Sequence, residues 1–324
     1  MPSRPQRPAL VSSWGALPMT KTMSAITPPD DGFRSGFVVI IGRPNAGKST
    51  LLNRLVGQKV SITSQRAQTT RHRILGIHNA PQAQIIYVDT PGLHRGESDK
   101  QLSRLMNREA RVSLEGVDAV VLVMTADGWT ERDEPALDLA RQASCPVILA
   151  INKVDRMKVR ERLLPLMEAM QQRYAFAEIV PLSAQDGDNV PALEKILLRL
   201  LPEHPAYFEA EQITDRSDRF QAAEFVREQV FRSFGEEVPY AVAVEITEFR
   251  EEPKHQHIEA VIWVEKEGQK AILIGKGGAS LKDIGRRARL EMQKAFGCKV
   301  YLGLWVKVRE GWSNDVRALK SLGY

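Results

Sequence analysis

The sequence predicts an α/β domain with a mostly parallel sheet, followed by a small α+β domain. Three observations lead there. Between residues 37 and about 200, short apolar runs (37–41, 85–88, 119–124, 147–151 and 179–182) lack the alternation of a one-sided strand, so helices must cover both faces of their sheet. The first run leads into Gly42-Arg43-Pro44-Asn45-Ala46-Gly47-Lys48-Ser49, a complete phosphate-binding loop between a strand and a helix. Beyond residue 219 the order changes to a helix, two strands, two helices and a last strand.

Taken in order, run 37–41 is the first buried strand, and 49–56 is a helix with Leu51, Leu52 and Leu55 on one face and Gly57 as its stop. The other four runs supply further strands, and 190–201 fits a covering helix. From Leu201 the chain turns polar around Pro202 and Pro205, which marks a linker at 205–219 and bounds the first domain at 33–204. The second domain, 220–324, reads as a helix over 220–234, strands over 241–249 and 257–265, a helix over 269–274, a glycine turn, a helix over 280–296 and a strand over 299–308, with a C-terminal tail. In helix 280–296 the residues Leu281, Ile284, Ala288, Met292 and Ala295 fall on one face, leaving Lys282, Arg286 and Arg289 as a basic stripe. Residues 1–32 are proline-rich without periodicity and read as a disordered extension, in which Met19 and Met23 leave the translation start open.

The chain of 324 residues is long enough for two cores. Its only cysteines, Cys145 and Cys298, lie far apart beside apolar positions, which supports neither a disulfide framework nor a metal cluster and suggests a reducing cytoplasm. No apolar stretch approaches the roughly 18–20 residues of a membrane span. The net charge of +5 is uneven: from 266 to 309, eleven Lys and Arg face three Asp and Glu, so this stretch carries +8 and the remainder −3. Such a local excess points to a polyanion, most often nucleic acid, with a basic solvated face as the alternative.

The loop fixes the first chemistry. Its glycines turn backbone N–H groups toward a β-phosphate, Lys48 reaches the β and γ oxygens, the Ser49 hydroxyl can hold Mg²⁺, and Thr50 follows in the helix. Asp89-Thr90-Pro91-Gly92 ends run 85–88, where Asp89 can reach Mg²⁺ through water and the Gly92 N–H can meet a γ-phosphate. Asn152-Lys153-Val154-Asp155 ends run 147–151. There the Asp155 carboxylate can accept from guanine N1–H and the exocyclic amine, a donor pair adenine lacks, although a surface ion pair would be the plainer reading of an isolated aspartate. Ser183-Ala184-Gln185 follows the last strand, placing the Ala184 N–H for guanine O6. Between the loop and Asp89, the polar Gln68-Thr69-Thr70-Arg71-His72 is long enough to be a mobile switch, and one threonine should complete the Mg²⁺ shell. Leu93 stands where a water-orienting glutamine would be expected, so intrinsic turnover should be slow, and the adjacent His94 reads as solvated.

In the second domain, Ile274-Gly275-Lys276-Gly277-Gly278 contains Gly-x-x-Gly directly before a helix. Such a loop admits a nucleic-acid backbone, while helix N–H groups and Lys276 meet phosphate. With the basic stripe and flanking strands it matches a KH module, which grips about four nucleotides of single strand.

Together these residues resemble the Era family of bacterial GTPases, and the resemblance runs from 36 to 324. Its most specific stretches are Ser61-Ile62-Thr63-Ser64, Gln68-Thr69-Thr70-Arg71-His72-Arg73, Asp89-Thr90-Pro91-Gly92-Leu93-His94, Ile213-Thr214-Asp215-Arg216, Glu237-Val238-Pro239-Tyr240, Leu304-Trp305-Val306-Lys307-Val308 and Gly311-Trp312. The resemblance implies a phosphate-loop GTPase domain joined to a type II KH domain, acting in assembly of the small ribosomal subunit. GTP would gate the grip of the KH domain on the 3′ end of small-subunit ribosomal RNA. It further implies Thr70 rather than Thr69 at Mg²⁺, hydrolysis without glutamine in agreement with Leu93, and, by comparison with K⁺-using relatives, a K⁺ ligand at Asn45. Peripheral contact with the cytoplasmic face of the inner membrane is also implied, and a monomer is the default. An RNA-binding scaffold whose hydrolysis is incidental stays open beside this reading. A tRNA-modifying GTPase is disfavoured by the lack of a reactive C-terminal cysteine, and a tandem GTPase is excluded by the single phosphate loop.

Overall fold

The computed structural model describes residues 32–64, 66, 68–92, 101–235 and 238–322. Leu93, His94 and the extension before Gly32 lie outside them. The first domain runs β1 (Arg34–Gly42), α1 (Lys48–Val56), β2 (Ile74–Ala80), β3 (Ala83–Asp89), α2 (Gln101–Val112), β4 (Ala119–Thr125), α3 (Glu134–Ala140), β5 (Val147–Asn152), α4 (Leu163–Arg173), β6 (Glu178–Pro181) and α5 (Val190–Leu200). The strands form one sheet in the order β2-β3-β1-β4-β5-β6, and every pairing is parallel except the β2–β3 hairpin.

Alternate residues of the apolar runs serve opposite layers. Val38 and Ile40 pack with Leu51, Leu52 and Leu55 of α1 and Leu193 and Leu197 of α5. Val39 and Ile41 pack with Ala110 of α2, Leu137 and Ala140 of α3 and Met170 of α4. Burial on both faces explains why the runs show no alternation. β2 was not anticipated, because Gly76, His78 and Asn79 break up its apolar residues and it forms only as the antiparallel edge of β3.

The second domain contains α6 (Asp218–Ser233), β7 (Ala243–Glu252), β8 (His255–Val264), α7 (Glu267–Ile274), α8 (Ala279–Phe296), β9 (Lys299–Val308) and α9 (Val316–Ser321). β7 pairs antiparallel with β8, and β8 parallel with β9. Phe225, Val226 and Val230 of α6, Leu273 of α7, and Ile284, Ala288 and Met292 of α8 cover one face of this sheet. Leu281 packs at the margin of that core, but Ala295 is exposed, and the last turn reaches the core through Phe296 instead. On the opposite face, Ala243 joins Trp312, Ala318 and Leu319 in a cluster completed by Leu102 and Met106 of α2.

The segment between the domains is held along the sheet edge. Ile77 N–H donates to Ile213 O at 2.8 Å, Thr214 Oγ1 to Leu75 O at 2.7 Å, and Leu75 N–H to Asp215 Oδ1 at 3.1 Å. It thereby delivers α6 against the first domain. α6 buries Glu224, Arg227, Glu228 and Gln229 together with its apolar residues, because each domain covers a different side of it.

Candidate nucleotide site and RNA-binding surface

The loop between β1 and α1, the segments after β3, β5 and β6, the stretch 62–70 and the end of α6 line a cavity of about 840 Å³. Parallel strands deliver the first four of these segments to one sheet edge, the usual position for a ligand in such folds. Gly47 turns the chain with φ 101°, and a Cβ there would lie 2.2 Å from Asn152 Nδ2, so a larger residue would push the two loops apart. Asn152 ties the site together: its Nδ2 donates to Ala46 O at 2.8 Å, and its Oδ1 accepts from Lys153 N–H at 2.7 Å and Ala184 N–H at 2.9 Å. Ala184 N–H thus meets Asn152 Oδ1, and Ala184 itself lines the cavity.

Lys48 Nζ donates to Gly42 O at 3.0 Å and Arg43 O at 3.1 Å. Burial pushes its pKa down to about 8, with Asp89 opposing the shift. At the start of α1, Ser49 Oγ donates to Asp89 Oδ2 at 2.7 Å and lies 2.9 Å from Thr70 Oγ1. Ser61 Oγ also donates to Asp89 Oδ2, at 3.0 Å, and Thr70 Oγ1 stands 3.5 Å from it. Burial raises the Asp89 pKa, while Lys48 and the three hydroxyls oppose it. Asp89 Oδ1 is buried with no hydrogen-bond partner among the described residues. An anionic oxygen left in this way, ringed by hydroxyls, fits a hard cation that binds oxygen and keeps much of its water, as Mg²⁺ does. The structure thus brings Ser49, Thr70 and Asp89 together. Thr69 also lines the cavity, but its hydroxyl donates to Arg66 O at 2.8 Å rather than meeting Asp89.

The remaining expected residues divide into two groups. Pro44, Asn45, Gly47, Lys48, Ser49, Thr50, Thr70, Gly92, Asn152, Lys153, Asp155, Ala184 and Gln185 line the cavity. Behind them, Arg43 turns its guanidinium to Asp133 at 3.1 Å and to Thr125, Thr90 Oγ1 holds Ile40 O at 3.0 Å, and Val154 packs into the core. Those residues shape the site through backbone and packing. Lys153 spans the mouth, its Nζ 2.6 Å from Asn45 O and its pKa lowered by burial and then by Arg156. Asp155 lies beside it, with 22% of its side chain exposed and Arg156 Nε 3.8 Å away. Ser61 is the Asp89 partner that residue-by-residue reasoning did not single out, and only its place in a hydroxyl-rich run hinted at it.

In the second domain the Gly-x-x-Gly loop joins α7 to α8 as a tight turn. Gly275 has φ 71°, and a Cβ there would lie 2.7 Å from Ser280 Cβ. Lys276 in the loop and Lys282, Arg286 and Arg289 along α8 are exposed, though Asp283 engages Arg286 at 3.0 Å and Arg287 at 2.7 Å. α7 also exposes Ile272, which gives the loop an apolar shoulder next to its cations.

A phosphate-loop domain with an Asn-Lys-x-Asp segment at the same cavity, followed by a Gly-x-x-Gly domain, defines a GTPase with an RNA-binding module. The model for 50S ribosome-binding GTPases matches residues 37–153, and that for KH domains matches 237–313. The chain is 55% identical to GTPase Era of Stenotrophomonas maltophilia over 89% of this chain and 97% of the relative. It is 55% identical to that of Xanthomonas axonopodis over 93% and 100%, and 53% identical to that of Coxiella burnetii over 89% and 97%. A crystal structure of Era with MgGDPNP and nucleotides 1506–1542 of 16S ribosomal RNA superposes with a TM-score of 0.87 at 41% identity, covering 90% of this chain and 99% of that one. The chain belongs to the Era family of GTPases.

Proposed function

We propose that this GTPase serves small-subunit assembly, its nucleotide state gating the grip of the KH domain on the 3′ end of 16S ribosomal RNA. The observation that carries this reading is the likeness, over 90% of the chain, to an Era structure holding both MgGDPNP and a 16S RNA segment. Backbone N–H groups of the loop and Lys48 bind the β and γ phosphates, and Asp155 selects guanine. Ser49, Thr70 and Asp89 would hold Mg²⁺, which neutralises charge on the phosphate oxygens. Because Thr70 reaches this cluster from a segment lacking regular structure, GTP is expected to fix that segment and GDP to release it.

Turnover is slow on this reading, because Leu93 cannot orient water. Asn45, with φ 63° beside the phosphates, is proposed as a K⁺ ligand supplying positive charge, and equal turnover in K⁺ and Na⁺ would refute that role. A cytoplasmic monomer that touches the inner membrane peripherally fits the family. No helix among the described residues is long and apolar enough to cross a membrane. The test is equilibrium binding of a short single strand matching the 16S 3′ end. It should be tighter with a non-hydrolysable GTP analogue than with GDP, and equal affinity in the two states would favour the scaffold reading.

A further inference from the structure

Thr70 is flanked by two residues that the second domain grips. On one side, Thr69 O accepts from Arg227 Nη2 at 2.5 Å. On the other, Arg71 Nη1 donates to Val242 O at 2.7 Å, and its Nη2 to Pro239 O at 3.1 Å and Tyr240 O at 3.2 Å. Arg71 is 2% exposed and Arg227 is 1% exposed. Arg227 is fixed in turn by Glu224, with Nε 2.7 Å from Oε1 and Nη2 2.5 Å from Oε2. Both guanidiniums lie over the Phe231 ring, at 5.6 Å and 5.2 Å from its centroid. Upstream, Glu228 accepts from Thr63 N–H at 3.0 Å, and Arg66 Nε donates to Phe231 O at 3.0 Å.

We infer that Arg71 and Arg227 are positioning residues for Thr70, so that the second domain sets the geometry of the Mg²⁺ cluster in the first. The inference rests on the reading of Thr70 as a Mg²⁺ ligand. A planar guanidinium is needed in both places. Arg71 meets three carbonyls of one turn at once, and Arg227 meets Glu224 and Thr69 O together, a geometry an ammonium cannot copy. Coupling is reciprocal: if docking of α6 helps Thr70 reach Mg²⁺, GTP with Mg²⁺ must favour docking of α6 to the same extent. A ligand on the KH face that shifts α6 would then loosen GTP while leaving GDP, which does not need Thr70, held as before.

The experiment follows release of a fluorescent non-hydrolysable GTP analogue and of fluorescent GDP from the full chain across a Mg²⁺ titration. Arg71→Lys and Arg227→Lys should each speed release of the GTP analogue by about tenfold, the loss of one hydrogen bond involving a charged group, and raise the Mg²⁺ concentration for half-saturation. GDP release should stay at the parental rate. Faster release of both nucleotides to the same extent would mark a general structural role and overturn the inference, as would unchanged release of the analogue. Phe231→Leu, which removes the ring beneath both guanidiniums but keeps an apolar side chain, gives a milder variant if a lysine variant does not fold, with the same selective loss expected. Adding Arg71→Lys to Thr70→Ala should produce no further effect, and an additive effect would overturn the inference. A Thr70→Ala variant that keeps the parental release rate would refute the Mg²⁺ reading itself, whereas an effect of Thr70→Ala without one from either arginine refutes the positioning role alone.

Discussion

Replacing Asp155 with asparagine should invert the base preference of the pocket. The turn at Lys153, with φ 67°, delivers Asp155 to the cavity, and on the proposed reading its carboxylate accepts from guanine N1–H and the 2-amine. The amide keeps one acceptor and sets a donor against the 2-amine. A hydrogen bond to a charged group contributes about 1.5–3 kcal/mol, so losing the one from the 2-amine weakens GDP by about 10- to 10²-fold. With 22% of the side chain open to solvent, the lower end applies. A xanthine nucleotide carries a carbonyl where guanine carries the amine, so it should gain what GDP loses. Displacement of fluorescent nucleotide by GDP, XDP and ADP reads the preference directly. Thermal stability should hardly change, because the ion pair to Arg156 is long and exposed. Parental GDP affinity in Asp155→Asn, or equal loss of all three nucleotides, would refute the assignment.

Three further outcomes follow from the geometry. In the free protein the Lys48 pKa is lowered to about 8, and phosphates raise it again, so the bound state holds a proton that the free state has lost above that pH. Nucleotide affinity should be full below pH 8 and fall as pH rises through it, with proton uptake visible by calorimetry in buffers of different ionisation enthalpy; binding without uptake there would contradict the shift. At Gly277 no atom lies within 4 Å of an added Cβ, and the strain of φ +60° is smaller for aspartate than for most residues, so Gly277→Asp should fold, keep GDP binding and repel RNA phosphate, weakening RNA by about tenfold or more. Loss of GDP binding in that variant would contradict the separation of the two sites. Trp312 is fully buried, donates from Nε1 to Ala241 O at 3.2 Å and packs with α2, so Trp312→Ala should cost about 3–5 kcal/mol in urea denaturation, and a loss under about 1 kcal/mol would show that the cluster carries little stability.

Much of the nucleotide site was legible because its chemistry is local. The phosphate loop, Asp89 and Asp155 each sit at the end of an apolar run, and a run buried on both faces reveals its strand without any tertiary knowledge. Thr70 stands out from Thr69 only through the family resemblance, and the structure places its hydroxyl 2.9 Å from Ser49 Oγ and 3.5 Å from Asp89 Oδ2. Long-range geometry was not legible. Nothing local marks residues 74–80 as a strand until β3 pairs with them, and nothing in 213–215 announces bonds to Leu75 and Ile77. Helix α6 hides its role for the same reason: Glu224, Arg227 and Glu228 look like a solvated face but are buried by the neighbouring domain. Nothing local shows that Ala184 N–H meets Asn152 Oδ1, 32 residues away in sequence. Ala295 keeps helical spacing with Met292, yet Phe296 beside it takes the core contact and Ala295 is exposed.

The most direct test of the account is the GTP hydrolysis rate of the full chain in K⁺ buffer, with and without a short single strand matching the 3′ end of small-subunit ribosomal RNA. The account predicts a slow basal rate that the strand changes, and the change should vanish in Gly277→Asp while the basal rate persists. A strand that binds measurably but leaves the rate untouched would contradict coupling between the KH domain and the nucleotide site.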